Sequence, residues 1–153
     1  MNIAEQMSRQ AHFAAPVTAA DVMRPALTTV EQQAHVAAAA YLMKHAGATA
    51  LMVLDAQTDQ PIGIITEADI ADAVADGRDV NSVRISELMT TRPSVIKPAT
   101  RIRDVAKIMT SGHFRHLPVV SDVGLLGIVD IGDVCRALLE PDACGISETV
   151  SGR

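Results

Sequence analysis

Apolar residues recur along this chain at helical and strand spacing, and the same succession occurs twice. Each copy predicts an amphipathic helix, because apolar residues three and four positions apart fall on one helical face. These faces comprise Val36, Ala40 and Met43 in the first copy and Ile102, Val105, Ala106 and Met109 in the second. Gly47 and Gly112 follow the two helices, where a residue with positive φ commonly ends a helix.

Two apolar runs separated by a turn follow each of these helices, which predicts a β-hairpin. The runs are 50–54 and 62–65 in the first copy and 117–120 and 125–129 in the second. A further helix is expected after each hairpin, over 66–77 and 130–139. Each copy also begins with a helical turn, at Thr18 and at Ser86, and a short extended piece, at 27–30 and 94–96. The pattern of strand, helix, strand, strand and helix favours an α+β fold.

The two copies keep a common register. Met23 recurs as Met89, and Leu51 recurs as Leu117, in both cases 66 residues later. Half-domains of about 60 residues bury too little surface to be stable alone, so we expect the copies to share a core. The predicted organisation is an N-terminal extension over 1–16, a first repeat over 17–78, a second repeat over 79–140 and a tail over 141–153.

Composition narrows the classes of function. The chain is 48% hydrophobic and 20% charged, and no apolar run reaches the length of a membrane span. A net charge of −5 disfavours nucleic acid as a partner, because affinity for a phosphate backbone rests on basic side chains. The first residues lack a basic stretch followed by an apolar one, so we expect a cytoplasmic location. Cys135 and Cys144 have no metal-type spacing and are expected to be free thiols.

The repeat resembles the cystathionine-β-synthase (CBS) domain, and the chain is similar to a free-standing tandem CBS pair. The resemblance rests on Asp21-Val22-Met23 with 51–55 and 63–70, and on Glu87-Leu88-Met89 with 115–120 and 127–129. It implies two β-α-β-β-α repeats packed about a pseudo-two-fold axis, with two clefts between them. It also implies a homodimer, an unknown protein partner, no required cofactor, and AMP, ADP or ATP as a regulatory ligand.

The segment from Thr66 to Asp69 has two interpretations. At a helix start it is a capping box, in which the Thr66 hydroxyl accepts from a backbone amide and the Asp69 carboxylate reaches back. The resemblance implies instead that Asp69 accepts hydrogen bonds from ribose hydroxyls, while Thr66 and the helix N-terminus favour a phosphate. The surrounding CBS pattern favours the ligand-binding interpretation.

The resemblance extends the first cleft to the edges of two strands. By analogy, Arg115 and His116 reach the phosphates of a nucleotide held by the other repeat, and Thr49 and Ala50 meet its base. Two alternatives stay open. In the first, Arg115 is a surface residue or an ion-pair partner of Asp122. In the second, His116 is a strand-edge histidine without a ligand.

The second cleft departs from the pattern. Asp130 stands where the first copy has Thr66, and Asp133 adds a second carboxylate. Like charges about 4 Å apart repel by roughly 1 to 4 kcal/mol. We therefore expect weaker binding in this cleft, or a preference for an uncharged or cation-bridged ligand.

Catalysis and metal binding have little support in the sequence. No nucleophile lies beside a base, so an enzyme is not expected. His113 and His116 would point to opposite sides of a strand, so no metal site is predicted. The predicted function is a sensor that binds an adenosine-containing ligand in one cleft and signals to a partner. The alternative is a dimerisation or protein-interaction module without a ligand.

Overall fold

The computed structural model describes residues 17–58 and 60–140, so the predicted N-terminal extension, the tail and Cys144 lie outside the described residues. The helices are α1 (Ala19–Val22), α2 (Val36–Ala46), α3 (Glu67–Ala75), α4 (Ile102–Gly112) and α5 (Ile131–Leu139), with a 3₁₀ turn at Ile85–Glu87. The strands are β1 (Arg24–Pro25), β2 (Thr29–Glu31), β3 (Ala50–Leu54), β4 (Pro61–Thr66), β5 (Thr90–Thr91), β6 (His116–Ser121) and β7 (Gly124–Asp130). The predicted α+β fold with a duplicated order of elements is confirmed.

The described strands form two sheets that exchange strands between the repeats. One sheet has the order β2-β3-β4-β5, and the other has the order β1-β7-β6. Each contains the hairpin of one repeat, because β3 pairs with β4 and β6 pairs with β7. The short strand β1 of the first repeat joins β7, and β5 of the second repeat joins β4. Neither sheet is therefore complete without the other repeat.

The exchanged strands occupy equivalent positions. Arg24 of β1 lies opposite Ile128, and Thr90 of β5 lies opposite Ile64. Arg24 and Thr90 are 66 positions apart, which is the offset between the copies at the start of the repeat. The pseudo-two-fold relation that the resemblance implies thus makes Arg24 and Thr90 counterparts.

A glycine in each hairpin permits this close approach. A Cβ on Gly127 would collide with the backbone carbonyl of Arg24, and a Cβ on Gly63 would lie 2.9 Å from the carbonyl oxygen of Thr90. Real Cβ atoms do not come so near a backbone oxygen, so the missing side chains make room for β1 and β5.

The hydrophobic cores follow the same exchange. Ala19 of α1 is buried among second-repeat residues that include Val105 and Leu117. Ile85 of the 3₁₀ turn is buried in the core of the first repeat, beside Val36. Each hydrophobic core therefore combines residues of both repeats. The boundary between the repeats, at 78 and 79, remains a prediction from the sequence.

A third group of apolar residues fills the space between the two sheets. Ala50, Met52 and Ile64 are buried there, with Leu125 and Ile128 packed against them. These residues alternate along their strands with those of the repeat cores, as expected for strands that are covered on both faces. This inter-sheet layer holds the two repeats together.

The helical turn at the start of each repeat differs in its capping. In α1, the amide and the hydroxyl of Thr18 donate to the Asp21 carboxylate at 2.7 and 2.9 Å, so Asp21 reaches back to the start of the helix. The second turn begins at Ile85, one residue before the predicted Ser86, and the Glu87 carboxylate accepts from the Arg84 amide at 2.8 Å.

The extended piece predicted over 94–96 is not a strand. Within it, Ile96 makes an isolated parallel bridge to Val119, which corresponds to the parallel pairing of Val30 in β2 with Val53. The predicted extended piece is therefore in the right place, but its pairing is limited to one bridged residue, and β5 is a separate strand that the sequence did not predict.

One predicted helix end is also wrong. Gly47 ends α2 in the left-handed conformation, with φ of 60°, as predicted. At the end of α4, however, His113 takes this conformation, with φ of 56°, and Gly112 is the last helical residue. A Cβ on Gly112 would overlap the ring of Phe114, so this glycine is required by the position of the ring.

The described helices are short. Within residues 17–58 and 60–140, every helix falls short of the length and apolar character that a membrane crossing needs.

Candidate functional site

Among the described residues, two clefts lie between the repeats. Cleft A has a volume of about 640 Å³ and is lined by Thr49, Ile64, Thr66, Glu67, Ala68, Asp69, Thr90, Arg92, Pro93, Ser94, His113, Phe114, Arg115, His116 and Asp130. Cleft B has a volume of about 410 Å³ and is lined by Arg24, Pro25, Ala26, Leu27, Thr28, Ala46, Gly47, Ala48, Thr49, Ala50, Leu51, His116, Ile128 and Asp130. Both volumes fall within the range of roughly 300 to 1,000 Å³ that small-molecule sites occupy.

The structure brings most of the predicted ligand-binding residues together in cleft A. Thr66 and Asp69 come from the junction of β4 and α3, and Arg115 and His116 come from the start of β6 in the other repeat. Thr49 precedes β3 and lies in the same cleft. Cleft A is thus assembled from both halves of the chain.

Ala50 is not brought to cleft A. It is the first residue of β3, is buried, and lines cleft B while packing with Met52 and Ile64 between the sheets. Successive side chains of a strand point to opposite faces, so the step from the preceding loop into β3 separates Ala50 from Thr49.

The start of α3 carries the predicted capping box. The amide and the hydroxyl of Thr66 donate to Oδ2 of Asp69 at 2.7 and 2.8 Å, and the Asp69 amide donates to the Thr66 hydroxyl at 3.3 Å. The capping interpretation is therefore correct for this segment. Within the described residues, Oδ1 of the half-exposed Asp69 accepts no hydrogen bond. The cap uses one carboxylate oxygen and leaves the other able to accept from a ligand.

Basic side chains also line cleft A. Arg115 and His113 are exposed, and neither forms an ion pair with another described residue. Arg115 and Asp122 form no ion pair in the structure, and the carboxylate of Asp122 lies 3.8 Å from Lys97 Nζ. The guanidinium of Arg115 is therefore free to meet an anion.

The sequence reasoning missed Arg92 as a cleft residue. Arg92 follows β5 with φ of 49°, and the exchange of β5 into the first sheet carries it to cleft A. Such a φ is uncommon for a residue other than glycine. The available signal was a basic residue at the position where the first copy has Ala26. Glu67, Thr90 and Phe114 also line cleft A without having been predicted.

Thr49, His116 and Asp130 line both clefts and form the wall between them. Nε2 of His116 lies 2.7 Å from the Thr49 hydroxyl and 3.0 Å from Oδ2 of Asp130. The other oxygen of Asp130 accepts from the Gly132 amide at 2.7 Å and caps α5. Asp130, which was predicted for the second cleft, thus belongs to this shared wall.

The imidazole of His116 is nearly buried in this wall. Burial lowers the pKa of His116 below its ordinary value, and the neighbouring guanidinium of Arg115 acts in the same direction. The carboxylates of Asp130 and Glu67 oppose this effect on the pKa without reversing it. His116 therefore favours its neutral form near neutral pH and contributes a hydrogen bond to the wall.

Asp133, the second carboxylate predicted for the second cleft, is buried and does not line cleft B. Nε and Nη2 of Arg24 donate to its two oxygens at 2.9 and 3.0 Å, and Arg136 Nη1 donates to Oδ1 at 2.9 Å. The hydrogen bond from Arg24 is the main reason that the pKa of Asp133 is lowered, and burial opposes it. In cleft A the equivalent carboxylate, Asp69, has no cationic partner among the described residues.

Metal-ligating side chains are dispersed. Across 17–58 and 60–140, no three His, Cys, Asp or Glu side chains are close enough to hold a metal ion.

Comparison with known proteins identifies relatives in sequence. The profile of the CBS domain matches residues 19–76 and 85–140. An uncharacterised 17.7 kDa protein of Acidianus ambivalens is 39% identical over 112 residues, which cover 72% of this chain and 66% of the relative. The mitochondrial CBS domain-containing protein CBSX3 of Arabidopsis thaliana is 36% identical over 59% of this chain and 46% of its own length. The chain therefore spans less than two thirds of the length of these curated relatives.

Solved structures share the fold. A hexameric CBS-CP12 protein from bloom-forming cyanobacteria is 30% identical with a TM-score of 0.75, over 80% of this chain and 72% of the other. CBSX2, solved in complex with AMP, is 29% identical with a TM-score of 0.66, over 80% of this chain and 96% of the other.

Proposed function

The chain belongs to the CBS domain family as a tandem pair, and from this premise we propose that it is a sensor that binds an adenosine-containing ligand in cleft A. CBS pairs are regulatory modules, and the proposal assigns this chain a ligand class and a binding cleft. The ligand is AMP, ADP or ATP, and it acts as a regulator and not as a required cofactor.

The observation that carries the proposal is the division of chemistry across cleft A. Asp69 of the first repeat retains a carboxylate oxygen without a hydrogen-bond partner among the described residues. The second repeat supplies Arg92, His113 and Arg115 to the same cleft. A ribose donates hydroxyl hydrogens and a phosphate accepts hydrogen bonds, so a nucleotide matches both sides.

The base is proposed to contact the apolar part of the lining. Ile64, Pro93 and Phe114 line cleft A together with the loop residue Thr49. An aromatic ring and aliphatic side chains favour a planar, weakly hydrated group such as adenine. The AMP complex of the related CBSX2 supports an adenine nucleotide as the first ligand to test.

Signalling follows from the position of the ligand. A nucleotide that contacts Asp69 and Arg115 bridges the two repeats, so it favours the relative arrangement of repeats in which both contacts are made. A protein partner that binds one arrangement better would then respond to the ligand.

Self-association is part of the proposal. Large apolar side chains on three helices are exposed, with Tyr41 at 61%, Val74 at 58% and Leu139 at 81%. The related CBS-CP12 protein is hexameric, which supports association of this chain as well, and the homodimer is the simplest form. A cytoplasmic, non-enzymatic role remains part of this proposal.

The second candidate is an interaction module without a ligand. The capping box at Thr66 and Asp69 favours it, because this segment is fully explained by helix capping. The two candidates differ in whether any adenosine compound stabilises the protein.

Titration calorimetry with AMP, ADP and ATP tests the proposal on the full chain. We expect saturable binding at one site per chain and a higher melting temperature at saturation. A ligand at 100 times its dissociation constant adds about 2.7 kcal/mol to the free energy of unfolding. Absence of heat and of any melting shift with all three nucleotides would favour the interaction module.

A further inference from the structure

The two clefts differ at one equivalent position of the exchanged strands. Thr90 of β5 lines cleft A, and its counterpart Arg24 of β1 lines cleft B. The two residues have the same register, opposite Ile64 and Ile128 respectively. The backbone arrangement is therefore shared, and the side chain alone differs.

Arg24 reaches the carboxylate that corresponds to Asp69. Its guanidinium donates to both oxygens of Asp133, at 2.9 and 3.0 Å. The side chain of Asp133 is 8% exposed and absent from the lining of cleft B, whereas Asp69 lines cleft A. The short Thr90 side chain makes no such contact.

We infer that Arg24 closes cleft B to nucleosides by taking the place of the sugar on Asp133. Two parallel N–H donors on one carboxylate satisfy the same oxygens that two ribose hydroxyls would use. Arg24 is thus a specificity-determining residue that leaves the chain with one nucleotide site where the duplication provides two. The inference rests on the proposed function, since it takes Asp69 of cleft A as the ribose-binding carboxylate.

Replacement of Arg24 removes only some of the hydrogen-bond donors of the Asp133 carboxylate. Arg136 still donates to Oδ1 at 2.9 Å, and Oδ2 loses its donor. The side chain of Arg24 is 62% exposed, so a smaller residue creates no cavity in the core. Thr is the matched replacement, because the structure already accommodates it at the equivalent position of β5.

The ligand of the opened cleft is an uncharged nucleoside. Asp130 stands in cleft B at the position that Thr66 has in cleft A, and it repels a phosphate. Once Arg24 is replaced, the described lining of cleft B has no arginine or lysine to offset this repulsion, whereas Arg92 and Arg115 line cleft A. Adenosine, which carries the ribose and the base without phosphate, is therefore the probe.

Equilibrium dialysis with labelled adenosine counts the sites in the full chain, in Arg24→Thr and in Arg24→Gln. We expect each variant to bind one more adenosine per chain than the unmodified protein does. Adding Asp133→Asn to Arg24→Thr should remove the extra site. The glutamine variant keeps most of the aliphatic stem, so it serves if the threonine variant fails to fold, and melting curves check both.

The reciprocal change tests the same contact in cleft A. Thr90→Arg places a guanidinium at the position that Arg24 has in cleft B, and we expect AMP binding to weaken at least tenfold. An unchanged number of adenosine sites in both Arg24 variants, or unchanged AMP affinity in Thr90→Arg, would overturn the inference. Failure of the proposed function would be a different result, namely that the unmodified protein binds no nucleotide at all.

Discussion

Cleft A and cleft B arise from the same duplicated segments, and they differ in where their charges are satisfied. Behind the lining of cleft B, the carboxylate of Asp133 is neutralised by Arg24 and Arg136 of the protein itself. In cleft A the carboxylate of Asp69 and the guanidinium of Arg115 are both without an ionic partner among the described residues. A fold can thus keep the arrangement of two clefts while internal ion pairs satisfy the carboxylate of one and not that of the other.

The difference also changes the physical role of each carboxylate. Asp133 is buried and needs its arginine partners, because an unpaired buried charge is costly. Asp69 is half-exposed, and its cap stabilises α3 whether or not a ligand is present. Substitution of Asp69 should therefore affect both ligand binding and the cap of α3, whereas substitution of Asp133 should affect stability alone.

The largest expected effect is at Asp69. In Asp69→Ala, a nucleotide loses its charge-assisted hydrogen bonds to the carboxylate, which contribute about 1.5 to 3 kcal/mol each. We expect the affinity for AMP to fall by about tenfold to a hundredfold or more, since every 1.4 kcal/mol is tenfold. Calorimetry measures the change, and a melting curve checks that the Asp69→Ala variant is folded.

Asp133→Ala is the matched control for this variant. It should leave AMP affinity within about twofold, because Asp133 does not line cleft A, while it removes the partner of Arg24. Equal losses of affinity in both variants would contradict the asymmetry between the clefts.

The second prediction concerns the basic side of cleft A. In Arg115→Ala, we expect AMP and ATP to bind about tenfold more weakly and adenosine to bind with little change, because a charge-assisted contact to phosphate is lost. Calorimetry with the three compounds separates the phosphate from the nucleoside. Arg101→Ala, an exposed arginine outside both clefts, is the control, and equal weakening for adenosine would show that Arg115 does not select phosphate.

The smallest expected effect is a pH dependence from the wall between the clefts. The pKa of His116 is lowered on folding, so the unfolded chain binds a proton more readily than the folded one does. This histidine therefore costs no stability above its unfolded pKa of about 6.5, and stability falls as the pH drops through the folded pKa.

Melting curves between pH 8 and pH 5 check the sign of this effect. Relative to His116→Gln, the unmodified protein should lose stability as the pH falls below about 6.5. A growing advantage of the unmodified protein toward low pH would mean that the folded wall stabilises the imidazolium. Adding AMP should shift the response, because a phosphate in cleft A favours protonated His116.

Much of the fold was predictable because its signals are local. Apolar periodicity located α2, α4 and both hairpins, since burial on one face demands it. The left-handed end of α4 was misplaced because the signal, a glycine, is used at Gly112 for contact with Phe114. Local signals predict whether a segment is a helix or a strand. They become unreliable at a residue such as Gly112, where a tertiary contact determines the residue type.

Site residues that belong to the repeated motif could be predicted from the sequence. Those that reach the cleft through the exchange of strands could not. Thr66, Asp69, Arg115 and His116 lie at recognisable junctions, and all four line cleft A. Arg92 was missed because it reaches the cleft only after β5 has paired with β4. A pattern along one repeat carries no information on which side chains the other repeat contributes.

The sequence by itself determined the duplication, the α+β order of elements and the difference in charge between the two halves, because these are properties of neighbours in the chain. Only the tertiary structure decided which clefts those charges enter. Arg24 and Asp133 are 109 positions apart, and their ion pair exists because β1 joins the sheet of the other repeat. Contacts between side chains so far apart in the chain depend on strand pairing and packing. The sequence of one repeat therefore does not show which residues of the other repeat it will contact.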